Sequence, residues 1–238
     1  MTEFEKQFRE VQELLEFNDF NQTIKRVIDF TLDTENIDFY TKTNEFLNWL
    51  DHNEKEDEDK KTRLKALLDE LHAFLSKKEC HNHQTIISVK NLQKVHNASF
   101  GLGPINLDIK TGEIIGLVGE NGNGKTTLLR SLCGELHPTS GTINYQFQYD
   151  DLYDLRTKLV YIPQRTDTWR GSMYENLEFT ASCYGYSPEE NNLVVDLVIT
   201  RLGLRKCRKH YWNNLSSGYK MRFELARMLL RKPKILLI

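Results

Sequence analysis

Residues 119–127 of this chain fill every fixed position of the pattern GxxxxGK[ST], as Gly119, Glu120, Asn121, Gly122, Asn123, Gly124, Lys125, Thr126 and Thr127. The context constrains the fold as much as the letters do. An apolar run, Glu113 to Val118, leads into the loop, and Thr127 to Leu132 reads as a helix leaving it. A buried strand that delivers the chain and a helix that departs would aim backbone N–H groups at phosphate oxygens. The glycines permit a close backbone approach that side chains would block. Lys125 supplies a cation for the β- and γ-phosphates, and the Thr126 hydroxyl suits a Mg²⁺ ligand. The loop predicts a nucleotide binder within an α/β fold. GTPases, kinases and transport ATPases could all share it.

The flanking sequence divides the chain. Residues 1–80 carry 20 acidic and 12 basic side chains, whereas 81–238 carry 14 and 20, an asymmetry hidden in the net charge of −2. Such a split suggests two units with different tasks. Residues 1–79 read as three or four amphipathic helices packed as a small bundle. Phe4, Phe8, Val11, Leu14 and Leu15 recur at helical spacing, as do Leu64, Leu67, Leu68, Leu71 and Phe74. Ile24, Val27 and Ile28, then Ile37, Phe46, Leu47 and Leu50, mark two helices between them. No Gly or Pro occurs before Gly101, which suits a helical unit. The charged run 51–61 reads as a solvated helix start or loop, with Asp51 and Asn53 available as N-caps.

The pattern then changes. Residues 85–95 are rich in β-branched side chains, and Ile105, Leu107 and Ile109 alternate as a half-buried strand should. Glu113 to Val118 is expected to be a buried central strand. With 39% apolar and 28% charged residues and no run of about 18 apolar residues, the composition excludes a membrane span. The polar, partly acidic start is neither a signal nor a transit peptide, so a cytosolic protein is expected. Cys80, Cys133, Cys183 and Cys207 form no CxxC pair and read as reduced thiols. Cys80, His81 and His83 lie close together, but no partner stands at finger spacing, so a metal site is the lesser reading.

Three further segments carry a resemblance. Tyr161-Ile162-Pro163-Gln164 follows Lys125 by about 40 residues. Leu215-Ser216-Ser217-Gly218-Tyr219 precedes a helix-like run that ends at Pro233, and Lys234 to Ile238 is an apolar strand. Together with the loop, these make residues 85–238 similar to the ATP-binding domain of ABC transporters. His137 to Ile143 and the entry strands fit the same pattern. The resemblance implies an α/β, RecA-like P-loop core with an antiparallel β subdomain and a helical subdomain, here about 166–215, preceded by the all-α region 1–79.

It also implies roles. Gln164 would be the Q-loop glutamine, near the metal and the attacking water. Thr126 and Gln164 would serve Mg²⁺, and residues 119–127 would hold ATP. Ser216 and Gly218 would cap the ATP of an opposing protomer, at a signature usually written LSGGQ. Ser217 and Tyr219 depart from that pattern and put the efficiency of capping in question. The family commonly stacks an aromatic on adenine near His96, so His96 or Phe100 could take that place. Met173 to Phe179 and Tyr184 to Ser187 look most like the ATPase subunits of ABC-2-type exporters.

The implied function is the ATP-binding subunit of an ABC transporter, at the inner face of the membrane. Its partners would be a separate transmembrane permease subunit and a homodimer or heterodimer of ATP-binding domains, with no nucleic acid. The alternative is a soluble, non-transport ABC ATPase that regulates or senses through residues 1–79. DNA-repair relatives fit less well, because no long coiled-coil insertion is visible. Translation-factor relatives usually carry two such domains. The family's Walker B Asp and catalytic Glu would follow the last strand, and the sequence stops at Ile238 before them. MgATP binding with negligible turnover is therefore expected, with part of the sheet left uncovered. A shortened gene or a cut polypeptide would account for this, as would a short binding-only protein.

Overall fold

The computed structural model describes residues 2–53, 57–78, 84–97, 100–163 and 168–238, apart from the side chains of 97 and 100. The helices are α1 Glu3–Glu16, α2 Phe20–Thr34, α3 Ile37–His52, α4 Asp57–Leu75, α5 Lys125–Leu132, α6 Leu152–Lys158, α7 Met173–Cys183, α8 Pro188–Arg201 and α9 Ser217–Leu230. The strands are β1 Thr85–Asn97, β2 Phe100–Lys110, β3 Ser140–Tyr145, β4 Leu159–Tyr161 and β5 Ile235–Leu237. They divide into two compact units, Met1–Glu79 with Thr166–Arg231, and Cys80–Arg165 with Lys232–Ile238.

The first unit is all helical. Local chemistry starts its helices: Thr2, Asp19 and Asn36 accept first-turn amides of α1, α2 and α3. Ser172 with Glu175, and Ser187 with Glu190, form capping boxes ahead of α7 and α8. Asp51 and Asn53 correct the expected N-cap. Asp51 lies within α3, and Asn53 is its C-cap, its N–H bonded to the Leu50 carbonyl. The apolar stripes of α1–α4 and those of α7–α9 enter a single core. Helix α8 packs against α2, α3, α7 and α9. Val194, Val195, Leu197, Val198 and Ile199 are therefore all buried. Each such side chain contributes roughly 1.5–3 kcal/mol when fully buried. Residues 1–79 thus bury apolar surface on the 166–231 helices as well as on each other.

Polar contacts fix that packing. The Asn44 amide donates to the Leu193 carbonyl at 3.1 Å. Arg205 makes two bonds to Asp51, at 3.0 and 2.6 Å. No helix among the described residues is long and apolar enough to cross a membrane.

The second unit carries the sheets. Strand β1 runs antiparallel to both β2 and β3, in the order β2-β1-β3, and β4 pairs with β5 in parallel. Ile105, Leu107 and Ile109 face the core while their neighbours face outward, giving the alternation of a half-buried strand. Strand β1 bulges near Asn91, which takes a left-handed conformation, φ 49°. A Cβ on Gly141 would stand 2.3 Å from the Asn91 carbonyl oxygen, so only glycine fits there.

A second expectation is overturned. Residues 113–118 form no strand, and Ile114 and Val118 are 98% and 95% exposed. A strand is made by its neighbours' hydrogen bonds. No described strand pairs with this segment, since β4 and β5 pair only with each other. Ile114 and Ile115 instead line an open cavity of about 410 Å³ with Ile109, Lys234 and Ile238.

Candidate phosphate-binding site

The loop turns on glycines. Gly122 and Gly124 sit at φ 90° and 80°, a region costly for residues with a Cβ. A Cβ on Gly122 would meet nothing within 4 Å, so its absence keeps one face of the loop open. Gly124 is the N-cap of α5 and has no side chain to satisfy the first-turn amides. An uncapped helix start with its positive dipole end favours an anion. The Lys125 ammonium reaches back over the loop and donates to the carbonyls of Gly119 and Glu120, at 2.6 and 2.7 Å. That places a cation against Glu120 to Gly124 at the same helix start. The Thr126 side chain is exposed in the first turn.

His96 reaches this region from the end of β1. Its Nε2 lies 3.4 Å from Thr127 Oγ1, beside the first turn of α5. The fold therefore gathers His96, Lys125, Thr126 and Thr127 in one unit. The side chain of Phe100 lies outside the described residues, as do Gln164, Cys80, His81 and His83. Among the described residues no group of three His, Cys, Asp or Glu side chains could hold a metal. Cys133, at the far end of α5, is buried, and burial pushes its thiol up to about 11, which suits an inert packing residue.

Ser216 and Gly218 belong to the helical unit, at the start of α9. Ser216 caps that helix, its Oγ accepting from the Tyr219 N–H at 3.4 Å, while Ser217 and Gly218 form the exposed first turn. Behind them lies a cluster that sequence reading missed. The Trp169 indole N–H donates to Glu224 Oε1 at 2.7 Å, and Arg227 donates to Glu224 Oε2, also at 2.7 Å. Glu224 and Arg227 are visible in the sequence as a pair three residues apart on a helix. Their partner comes from 55 residues away and is apparent only in the fold.

The chain is similar in sequence and fold to known proteins. The family described as ABC transporter matches residues 102–238. The methionine import ATP-binding protein MetN 1 of Acinetobacter baylyi is 36% identical over 163 residues, covering 63% of this chain and 46% of that protein. The probable multidrug ABC transporter ATP-binding protein YbhF of Escherichia coli is 30% identical, over 65% of this chain and 27% of its own length. The chain thus spans less than half of these relatives. Among solved structures, cbiO1 from Clostridium perfringens, part of the ABC transporter complex cbiONQ, superposes with a TM-score of 0.57. It is 29% identical and covers 64% of each chain.

Proposed function

This chain belongs to the ABC transporter family, and from that premise we propose that it is an ATP-binding subunit coupling ATP binding and hydrolysis to substrate movement through a separate membrane permease. Residues 85–238 would form the nucleotide-binding domain and 1–79 a helical extension of it. The observation that carries the reading is the Lys125 ammonium held over the loop by the Gly119 and Glu120 carbonyls, directly above the uncapped start of α5.

The loop's chemistry fits a polyphosphate. Backbone N–H groups of the first turn of α5 meet negative oxygens, and Lys125 exchanges two neutral carbonyl partners for charged ones. When bound, ATP would supply the phosphoryl group and Mg²⁺ would supply neutralising positive charge beside it. The exposed Thr126 hydroxyl and Gln164 are the residues assigned to that metal. His96, beside Thr127, would offer an aromatic face to a base. Ser216 and Gly218, at the start of α9, combine a hydroxyl, an open backbone and a helix dipole, which suits the γ-phosphate of a nucleotide held by a second ATP-binding domain. The permease would hold the subunit at the inner face of the membrane.

Equilibrium binding of MgATP tests the reading. Lys125→Ala is expected to weaken affinity at least about tenfold, the loss of a charge-assisted contact. Equal affinity in the variant and the parent chain would remove the loop from the site.

A further inference from the structure

From Leu197 to Phe223 the chain has no acidic residue and seven basic ones. What these cations touch divides them into two sets. Arg201, Arg205 and Arg208 are paired with Asp29, Asp51 and Asp196, and so help hold the helical unit together. Lys206, Lys209, Lys220 and Arg222 meet no carboxylate among the described residues. Like charges gathered on one surface repel, and nothing acidic in the chain offsets these four.

The local backbone sorts the two sets. Arg205–Cys207 is a 3₁₀ turn, in which residues three apart share a side. Arg205 and Arg208 therefore face their carboxylates, while Lys206 and Lys209 are both exposed. Helix α9 brings Arg222 beside this turn, since a Cβ on Gly203 would stand 3.6 Å from Arg222 Nη1. Three large side chains lie exposed among these cations: Tyr211 at 59%, Tyr219 at 38% and Met221 at 40%. All of these residues belong to the first compact unit.

We propose that this strip is a contact for an anionic phospholipid surface, made by the chain itself and not through a permease. Lys and Arg side chains meet headgroup phosphates, and tyrosine rings sit at headgroup depth with the hydroxyl in water. Single-stranded nucleic acid is the other polyanion that basic, aromatic surfaces take, and it needs free ring faces on which bases stack. Here the Arg222 guanidinium lies over the Tyr219 ring at 5.6 Å, and the Lys220 ammonium over the Trp212 ring at 5.3 Å. Those faces are already covered by the strip's own cations, which leaves phosphates without bases as the fitting ligand. Such a contact lies outside the nucleotide reading and holds whether or not ATP binds.

The test is sedimentation of the whole chain with vesicles, of equal phosphatidylglycerol and phosphatidylcholine or of phosphatidylcholine alone. A net charge of −2 gives the chain no overall attraction to an anionic surface, so binding there reports a local patch. The parent chain is expected to pellet with the anionic vesicles only, and to be largely released as salt rises from about 10 to about 150 mM. Lys206→Gln combined with Lys209→Gln should weaken binding about fivefold per charge removed, roughly 25-fold together. Lys6→Gln combined with Arg9→Gln removes equal charge from exposed positions on α1, and should stay within about twofold of the parent. All four side chains are exposed, so both variants keep the fold, which matched thermal unfolding verifies. Equal losses in the two variants, or equal retention of the parent chain on neutral vesicles, overturn the proposal. So does a parent chain that leaves anionic vesicles bare, whether or not it captures a single-stranded oligonucleotide.

Discussion

Arg201 holds Asp29 by two parallel hydrogen bonds, Nε to Oδ1 at 2.6 Å and Nη2 to Oδ2 at 3.0 Å, across 172 residues of sequence. The pair joins the last residue of α8 to the middle of α2. It therefore links the N-terminal helices to the helices that follow residue 166. Both side chains are about a third exposed, 31% and 30%. Solvent screening removes part of their attraction, and the fork geometry retains part of it.

A double-mutant cycle with Asp29→Asn and Arg201→Gln is expected to give a coupling of about 1 kcal/mol in urea unfolding of the whole chain. The exposed Lys42–Glu70 pair, half accessible on both sides, should show no measurable coupling. Additive effects at Asp29 and Arg201 would mean that apolar burial alone holds the two helical groups together.

Two glycines with similar backbone angles should respond differently to alanine. Gly122, φ 90°, has open space where a Cβ would stand, whereas at Gly141, φ 84°, the Cβ would lie 2.3 Å from the Asn91 carbonyl. Gly122→Ala should cost about 1–2 kcal/mol, the strain of a left-handed residue. It should also lower MgATP affinity by narrowing the open face of the loop. Gly141→Ala adds a backbone clash and should exceed about 3 kcal/mol. Thermal unfolding of the two variants and nucleotide titration of the first check the order.

The pH dependence of stability has an identifiable contributor in Asp33. Its pKa is raised from 3.8 to about 6, by burial first and then by Asp29 and Glu35, with Lys78 and Arg26 opposing. The folded chain therefore keeps this proton to higher pH than the unfolded chain. The favourable term is complete below 3.8 and is lost as pH rises through about 6. The Asp33 side chain is solvent-exposed in spite of its crowded surroundings, so the effect is smaller than the shift alone implies. Asp33→Asn should be more stable than the parent chain at neutral pH and converge with it near pH 3.8. Unfolding curves that stay parallel across this window would exclude Asp33 as the source.

Much of this was legible in the residues. The loop could be read because its requirements are local: glycines where φ is positive, a lysine and a hydroxyl at the helix start. The helices of 1–79 could be read because a helix closes its own hydrogen bonds and displays its core face every three or four residues. Thus Phe8, Val11 and Leu15, and Leu64, Leu67, Leu68 and Leu71, enter the core at the spacing that announced them. The run 113–118 has the composition of a central strand and none of the pairing, because strand bonds are supplied by other segments.

By itself, the sequence determined the glycine loop, the helix that leaves it, and membership of the ABC transporter family. Tertiary structure alone decided that residues 1–79 share a core with 166–231, that Asp51 meets Arg205 instead of starting a helix, and that Trp169 closes on Glu224 and Arg227. The physical reason is the range of the interactions. Caps, glycine turns and helical periodicity act within a few residues, where sequence is read directly. Burial of a helix face, bidentate ion pairs and strand pairing require partners tens to hundreds of residues away, which only the folded chain brings together.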